Sequence, residues 1–112
     1  MSDFILHERD EDFGNSIIIM EKTGKSYGRI YWYTDNELVC YLAGLSVDKN
    51  FLGKGFGNQL LKKLESIAIE RKALTIHLWV KKNSWQYKWY NRNGYVYFGE
   101  FDSEHDWLIK QI

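Results

Sequence analysis

Residues 45–58 read Leu45-Ser46-Val47-Asp48-Lys49-Asn50-Phe51-Leu52-Gly53-Lys54-Gly55-Phe56-Gly57-Asn58. They join an apolar run, Leu38 to Val47, to a run with helical periodicity, Gly57 to Lys72. Three glycines, Gly53, Gly55 and Gly57, mark the junction. A strand that feeds a glycine-rich turn and then a helix is suited to hold an anion. Glycines let the backbone approach a ligand and visit positive φ. The first N–H groups of a helix have no internal partner and can point at phosphate oxygens. The helix dipole adds about half a positive charge there. The alternative is a tight turn and helix start that bind nothing.

Working outward, the helix after the junction is the clearest element. Leu60, Leu61, Leu64, Ile67 and Ala68 fall on one face, with Lys62, Lys63, Glu65, Glu70 and Lys72 elsewhere. Leu74 to Val80 reads as a strand, with Leu74, Ile76, Leu78 and Val80 on one face and Thr75, His77 and Trp79 on the other. Strand, helix, strand implies a parallel, right-handed crossover. Asn83 to Asn93 reads as a short helix, capped by Asn83 with Gln86 reaching back and ended by Gly94. Tyr95 to Phe101 and Trp107 to Ile109 read as a last pair of strands around the turn Asp102 to Asp106.

Upstream, Phe4 to Leu6 reads as a first strand and His7 to Asp12 as a turn or loop. Ser16 to Glu21, Tyr27 to Tyr33 and Leu38 to Val47 read as a meander. Lys22-Thr23-Gly24-Lys25 and Thr34-Asp35-Asn36-Glu37 supply its turns. Gly44 inside the third of these strands suggests a bulge. The whole is an α/β (α+β) chain: a mixed, mostly antiparallel sheet with one parallel β-α-β crossover. Residues 1–112 are expected to form a single domain.

Composition narrows the function. Lys+Arg 15 balances Asp+Glu 15, so no broad grip on nucleic acid is expected. One cysteine, Cys40, excludes an intramolecular disulfide. The longest apolar stretch, around Leu38 to Leu45, is too short to span a bilayer. No secretory signal is visible, so a cytoplasmic location is expected, with no membrane partner. No His/Cys cluster has metal-ligand spacing, so no metal is expected.

A P-loop needs Gly-x-x-x-x-Gly-Lys-Ser/Thr, which is absent, and Gly53-x-Gly55-x-Gly57 has the wrong rhythm for the dinucleotide fingerprint. The spacing resembles the acetyl-CoA pyrophosphate loop of the GNAT (N-acetyltransferase) superfamily, Arg/Gln-x-x-Gly-x-Gly/Ala after a strand. Here Val47-Asp48 ends the strand and Gly55-Phe56-Gly57 is the loop core. Leu52 stands where the family has Arg or Gln. A second family motif, Asn-x-x-Ala-x-x-x-Tyr-x-x-x-Gly-Phe, is similar to Asn83, Gln86, Tyr90, Gly94 and Tyr95, with Gln86 in place of Ala. The family has two helices between its first strands. Only about ten residues are available here, so those helices are absent or reduced.

The resemblance implies roles. The cofactor would be acetyl-CoA, its pantetheine arm pairing with backbone at Leu45, Ser46 and Val47 beside a bulge near Gly44. Gly53, Lys54, Gly55, Phe56, Gly57 and Asn58 would cradle the pyrophosphate, with Asn83 as a further cofactor neighbour. A backbone N–H near Leu45 would polarise the thioester carbonyl. Tyr90 would be the general acid for the leaving sulfur; the alternative is a packed helix tyrosine. For the base, His77 has a suitable unperturbed pKa, and Glu37 and Tyr41 are rivals. His7 and His105 fall in expected turns. Ser46 has no evident base partner, which leaves a covalent serine route unsupported.

The function so implied is acetyl-CoA-dependent N-acetyl transfer to a primary amine, on a small molecule or a peptide, by direct transfer. The alternative is a non-catalytic acetyl-CoA-binding or interaction module that keeps the fold. The acid-rich run Glu8 to Asp12 would attract a cationic amine or merely be solvated. Aromatic residues make up 17% of the chain, and Tyr31, Trp32 and Tyr33 alternate faces of one strand. A sheet face without family helices over it would be left partly bare, which suggests a homodimer.

Overall fold

The computed structural model describes residues 4–11, 14–21, 26–34, 38–49, 53 and 55–112, with side chains from residue 28 onward. Four strands come first: β1 (Phe4–Glu11), β2 (Gly14–Glu21), β3 (Ser26–Thr34) and β4 (Val39–Val47). Then follow α1 (Phe56–Glu70), β5 (Thr75–Lys81), α2 (Trp85–Arg92), β6 (Val96–Glu100) and β7 (His105–Gln111). The strands form one sheet in the order β1-β2-β3-β4-β5-β7-β6. All pairs are antiparallel except β4–β5, the parallel pair that the crossover through α1 produces. The expected mixed, mostly antiparallel sheet is therefore present.

One expected turn is a strand. His7 to Glu11 continue β1, pairing His7 with Ile18 and Glu11 with Gly14. β1 is a sheet edge, and charged side chains are tolerated on an edge strand, so polarity there did not signal a turn. Asp12 lies outside the described residues, as do the turn at 22–25 and Glu37. The register Glu11↔Gly14 leaves room for two residues between the strands, and no helix separates them. At the other end, β7 is longer than expected and begins at His105, whose ring nitrogen lies 2.9 Å from Asp102 Oδ1.

Helix α1 covers one sheet face. Its Leu60, Leu61, Leu64, Ile67 and Ala68 are buried against Ile30, Trp32, Cys40, Leu42, Ile76, Leu78 and Leu108. Each large aliphatic side chain so buried is worth about 1.5–3 kcal/mol. The helix ends in a left-handed residue, Lys72 (φ 65), with Ala73 N–H donating to Ala68 O at 2.9 Å. That is the bond of a Schellman cap, made here without glycine. Ile76, Leu78 and Val80 point into this core as expected, but Leu74 is exposed and precedes β5.

Cys40 sits at the centre of that core, and burial pushes its thiol up to about 12. The thiolate, the reactive form, is then scarce at neutral pH. Ellman's reagent should find no fast-reacting thiol in the native protein and one after denaturation. Rapid native labelling would mean that the β3–β4–β5 core opens readily.

Candidate active site

β4 and β5 pair only at Val39↔Thr75, Cys40↔Ile76 and Tyr41↔His77. β4 runs on to Val47 and β5 to Lys81, so the two strands part beyond Tyr41 and His77. The cause lies in β4. Its pairing with β3 steps from Tyr31↔Gly44 to Trp32↔Leu42, which leaves Ala43 as an extra residue. Such a bulge turns a strand away from its neighbour.

The parting opens onto a cleft of about 830 Å³. One wall is Leu45, Ser46 and Val47 of β4; the floor is Gly53, Gly55 and the first residues of α1, Phe56, Gly57 and Asn58. The opposite wall is Trp85, Gln86, Trp89 and Tyr90 of α2. Gly53 (φ 79) and Gly55 (φ 83) hold left-handed backbone, and among the described residues, chain neighbours aside, no atom lies within 4 Å of where a Cβ would stand on either. Gly55 is the N-cap of α1 and offers no side-chain cap. The first bond of the helix runs from Gln59 N–H to Gly55 O at 3.0 Å, so the N–H groups of Phe56, Gly57 and Asn58 precede it. No acidic residue occupies the first turn. Open space above a bare, positive helix end fits a phosphate group.

The missing side chain of Gly57, a cleft residue too, serves packing as well. A Cβ there would meet the Trp89 ring at 3.5 Å and Val47 at 3.9 Å. The small residue thus lets α2 lie against the start of α1. Tyr90, next along, is buried, with its ring edge-on to Trp89 and Tyr95 at centroid distances of 5.1 and 5.6 Å. Burial raises the pKa of its phenol, which stays protonated through neutral pH. Tyr95 in turn donates to Glu65 Oε2 at 2.9 Å, and Lys110 Nζ donates to the same oxygen at 3.0 Å. This triad anchors the end of α2 to α1 and β7.

The cap of α2 corrects the expectation for Asn83. Ser84 is the N-cap: its Oγ accepts from Tyr87 N–H at 3.2 Å and donates to Lys81 O at 2.7 Å. Asn83 is exposed in left-handed conformation (φ 61) and is not among the residues lining the cleft. Gln86 lies inside the first turn and lines the cleft instead of reaching back to a cap. His77 does not line the cleft either. Its ring lies on the other face of the sheet, 5.6 Å from Tyr41, 5.5 Å from Phe98 and 6.4 Å from Trp107 between centroids. Lys54 and Leu52 lie outside the described residues. Among the described residues no His/Cys/Asp/Glu group could hold a metal, and no helix is long and apolar enough to cross a membrane.

Trp85 and Trp89 are cleft residues that motif reading does not single out, and Gln86, a motif position, lines the cleft rather than capping. The helical spacing held the signal: Gln86 and Tyr90 are four apart, as are Trp85 and Trp89, so a helix that presents Tyr90 presents these beside it.

A mixed sheet opened between parallel strands, over a glycine-marked helix start, defines an acyl-coenzyme A transferase fold. The sequence model of the acetyltransferase (GNAT) family matches residues 2–95, and the chain belongs to that family, whose acetyl donor is acetyl-CoA. Among curated proteins none matches. Solved structures do. A GNAT family acetyltransferase from Elizabethkingia anophelis with acetyl-CoA bound superposes with TM-score 0.84 at 12% identity, over 100% of both chains. The IAA acetyltransferase from Bacillus cereus gives 0.83 at 12%, over 97% of this chain and 99% of that one. The PaiA N-acetyltransferase from Thermoplasma acidophilum, in complex with coenzyme A, gives 0.78 at 20%, over 87% of this chain. The present chain spans 60% of the PaiA chain. At these identities the likeness is one of fold.

Proposed function

We propose that the chain transfers an acetyl group from acetyl-CoA directly to a primary amine. The observation that carries this reading is a single cleft shared by the bare N-terminus of α1 and the protonated Tyr90. Bound acetyl-CoA supplies a thioester: the amine nitrogen bonds to its carbonyl carbon, the C–S bond breaks, the sulfur gains a proton and the nitrogen loses one. The chain's residues then have distinct tasks. Gly53, Gly55, Phe56, Gly57 and Asn58 hold the pyrophosphate, and Lys54 adds charge. Leu45, Ser46 and Val47, paired with β3 on one side, offer the β4 edge that has no β5 partner to the pantetheine arm. Tyr90 delivers the proton to sulfur; His77, outside the cleft but at the last β4–β5 pair before the strands part, takes one from an amine that approaches from that side. Asn83 keeps no part in this reading.

Free thiol released from acetyl-CoA in the presence of an amine panel, with the acetylated amine seen by mass spectrometry, tests the proposal. Acetyl-CoA binding without thiol release from any amine would favour the non-catalytic module, for which Leu52 in place of Arg or Gln is the motivating departure. The same reading puts the chain in the cytoplasm as one domain. The proposal includes a homodimer that buries the sheet face carrying Tyr31 and Tyr33, the rival being a monomer. Sedimentation at micromolar concentration reads it: a single species near 13.4 kDa removes it.

A further inference from the structure

Among the described residues, the rings that line the cleft are those of Phe56, Trp85, Trp89 and Tyr90. Three of them have a packing role. Phe56 and Tyr90 are buried members of the core, and Trp89 packs against it with its indole beside Gly57. Trp85 stands apart: it is outside that core and 61% exposed. The helix does not need it either. Ser84 supplies the cap of α2, and tryptophan is only a middling helix former. A large indole face is therefore presented to the cleft at a position that neither packing nor helix formation explains.

Strand register fixes where Trp85 stands along the cleft. β5 and β6 both run antiparallel to β7, so they run parallel to each other. β5 ends in the row that pairs Lys81 with His105, whereas β6 begins with Val96 opposite Ile109, in the row of His77. Helix α2 joins these two rows, so it runs back along β5. Trp85, its first residue, lies at the carboxyl end of β5. Tyr90, five residues on, lies about 7.5 Å nearer the last β4–β5 rung. Helix α1 likewise starts at the carboxyl end of its parallel strand, β4. Trp85 and the bare start of α1 thus share the outer end of the cleft, and Tyr90 marks the inner end. Coenzyme A is a linear molecule: thiol, pantetheine, pyrophosphate, then the adenosine nucleotide. With sulfur at Tyr90 and pyrophosphate at the start of α1, the adenosine continues outward, the direction in which Trp85 stands.

We propose that the Trp85 indole is the platform on which the adenine of coenzyme A stacks. The proposal rests on the acetyl-transfer reading, which puts the sulfur at Tyr90 and the pyrophosphate at Gly55. A base offers a π-face whatever its hydrogen-bonding edge, and an aromatic side chain holds it by stacking. The platform is also held in place before the ligand arrives. The Ser84 hydroxyl accepts from Tyr87 N–H and donates to Lys81 O, which ties the first turn of α2 to the end of β5. Trp89, one turn on, is seated against Gly57. A preorganised surface loses little freedom on binding.

Calorimetric titration with coenzyme A and with 4′-phosphopantetheine, the same arm without its adenosine nucleotide, separates the platform from the rest of the cleft. Trp85→Ala should weaken coenzyme A about tenfold and 4′-phosphopantetheine less than about twofold. Trp85→Phe, which keeps a ring, should hold coenzyme A within about threefold of wild type. Tyr97→Ala, 60% exposed on β6 and not among the residues lining the cleft, should change neither. Circular dichroism confirms folding, which the exposed position of Trp85 leaves undisturbed. Unchanged coenzyme A affinity in Trp85→Ala overturns the platform. An equal loss for both ligands overturns it too and makes Trp85 a wall of the pantetheine channel. A Trp85→Phe protein as weak as Trp85→Ala overturns stacking. In each of these cases wild type still binds coenzyme A and the transfer reading stands. Wild type that binds neither ligand strikes the transfer reading itself, and the platform falls with it.

Discussion

Gly55→Val should lose acetyl-CoA binding by about a hundredfold or more while the fold survives. Gly55 holds φ 83, where a β-branched side chain is strained by roughly 1–2 kcal/mol. The valine would also fill space now open above the helix start, which the proposal gives to phosphate. Each charge-assisted bond lost there costs about 1.5–3 kcal/mol, and about 1.4 kcal/mol is tenfold in affinity. The position is exposed, so little core packing changes. Gly55→Asn separates the two causes, since asparagine tolerates left-handed backbone but still occupies the space. Calorimetric titration of both variants, with circular dichroism to confirm folding, is the measurement. Unchanged affinity in Gly55→Val would falsify the loop assignment.

The second large effect concerns Tyr90. Tyr90→Phe should lower kcat by about 10²–10⁴-fold and leave the KM for acetyl-CoA within about threefold. Only the developing thiolate gains from the proton, so the ground state should barely notice its loss. The pH profile adds a sign. Burial raises the Tyr90 pKa above the ordinary tyrosine value of about 10, so the acid form persists as pH rises to 10. Wild-type rate should therefore show no alkaline fall due to Tyr90 below pH 10. The same shift means that Tyr90 stabilises the fold fully below pH 10 and loses that contribution as pH climbs through its folded pKa. Full activity in Tyr90→Phe would leave sulfur protonation to another group.

The parts legible in the sequence were those with short-range rules. Gly53, Gly55 and the apolar stripe of α1 announce a strand, a tight turn and an amphipathic helix from local chemistry alone. Gly44 likewise flagged the bulge, although the extra residue is Ala43. Asn83 was misread because it and Ser84 are both good caps. The choice fell to backbone, with Asn83 turning left-handed and handing the cap to Ser84. β1 was cut short because its second half is charged on both faces, and an edge strand needs no apolar alternation. The aromatic face was legible only as an alternation at Tyr31 to Tyr33. That it continues through His77, Trp79 and Trp107 depends on β5 and β7 lying beside β4, which no local pattern encodes.

The three rungs between β4 and β5 also divide the protein mechanically. On one side lies a leaf of β1 to β4 with α1 mainly upon it; on the other, a leaf of β5, β7 and β6 with α2 against β5. Apart from those rungs and the shared core, the leaves are clasped by Glu65, which reaches across to Tyr95 and Lys110. The backbone of β4 beyond Tyr41 faces a gap where a neighbouring strand would stand. A molecule lying there and bonding to Leu45 and Val47 acts as a substitute strand, completing the hydrogen-bond ladder that the bulge interrupts. Loading then stiffens the seam between the leaves, and slow exchange of those β4 amides that face the gap, not of those already bonded to β3, becomes the mark of the loaded protein.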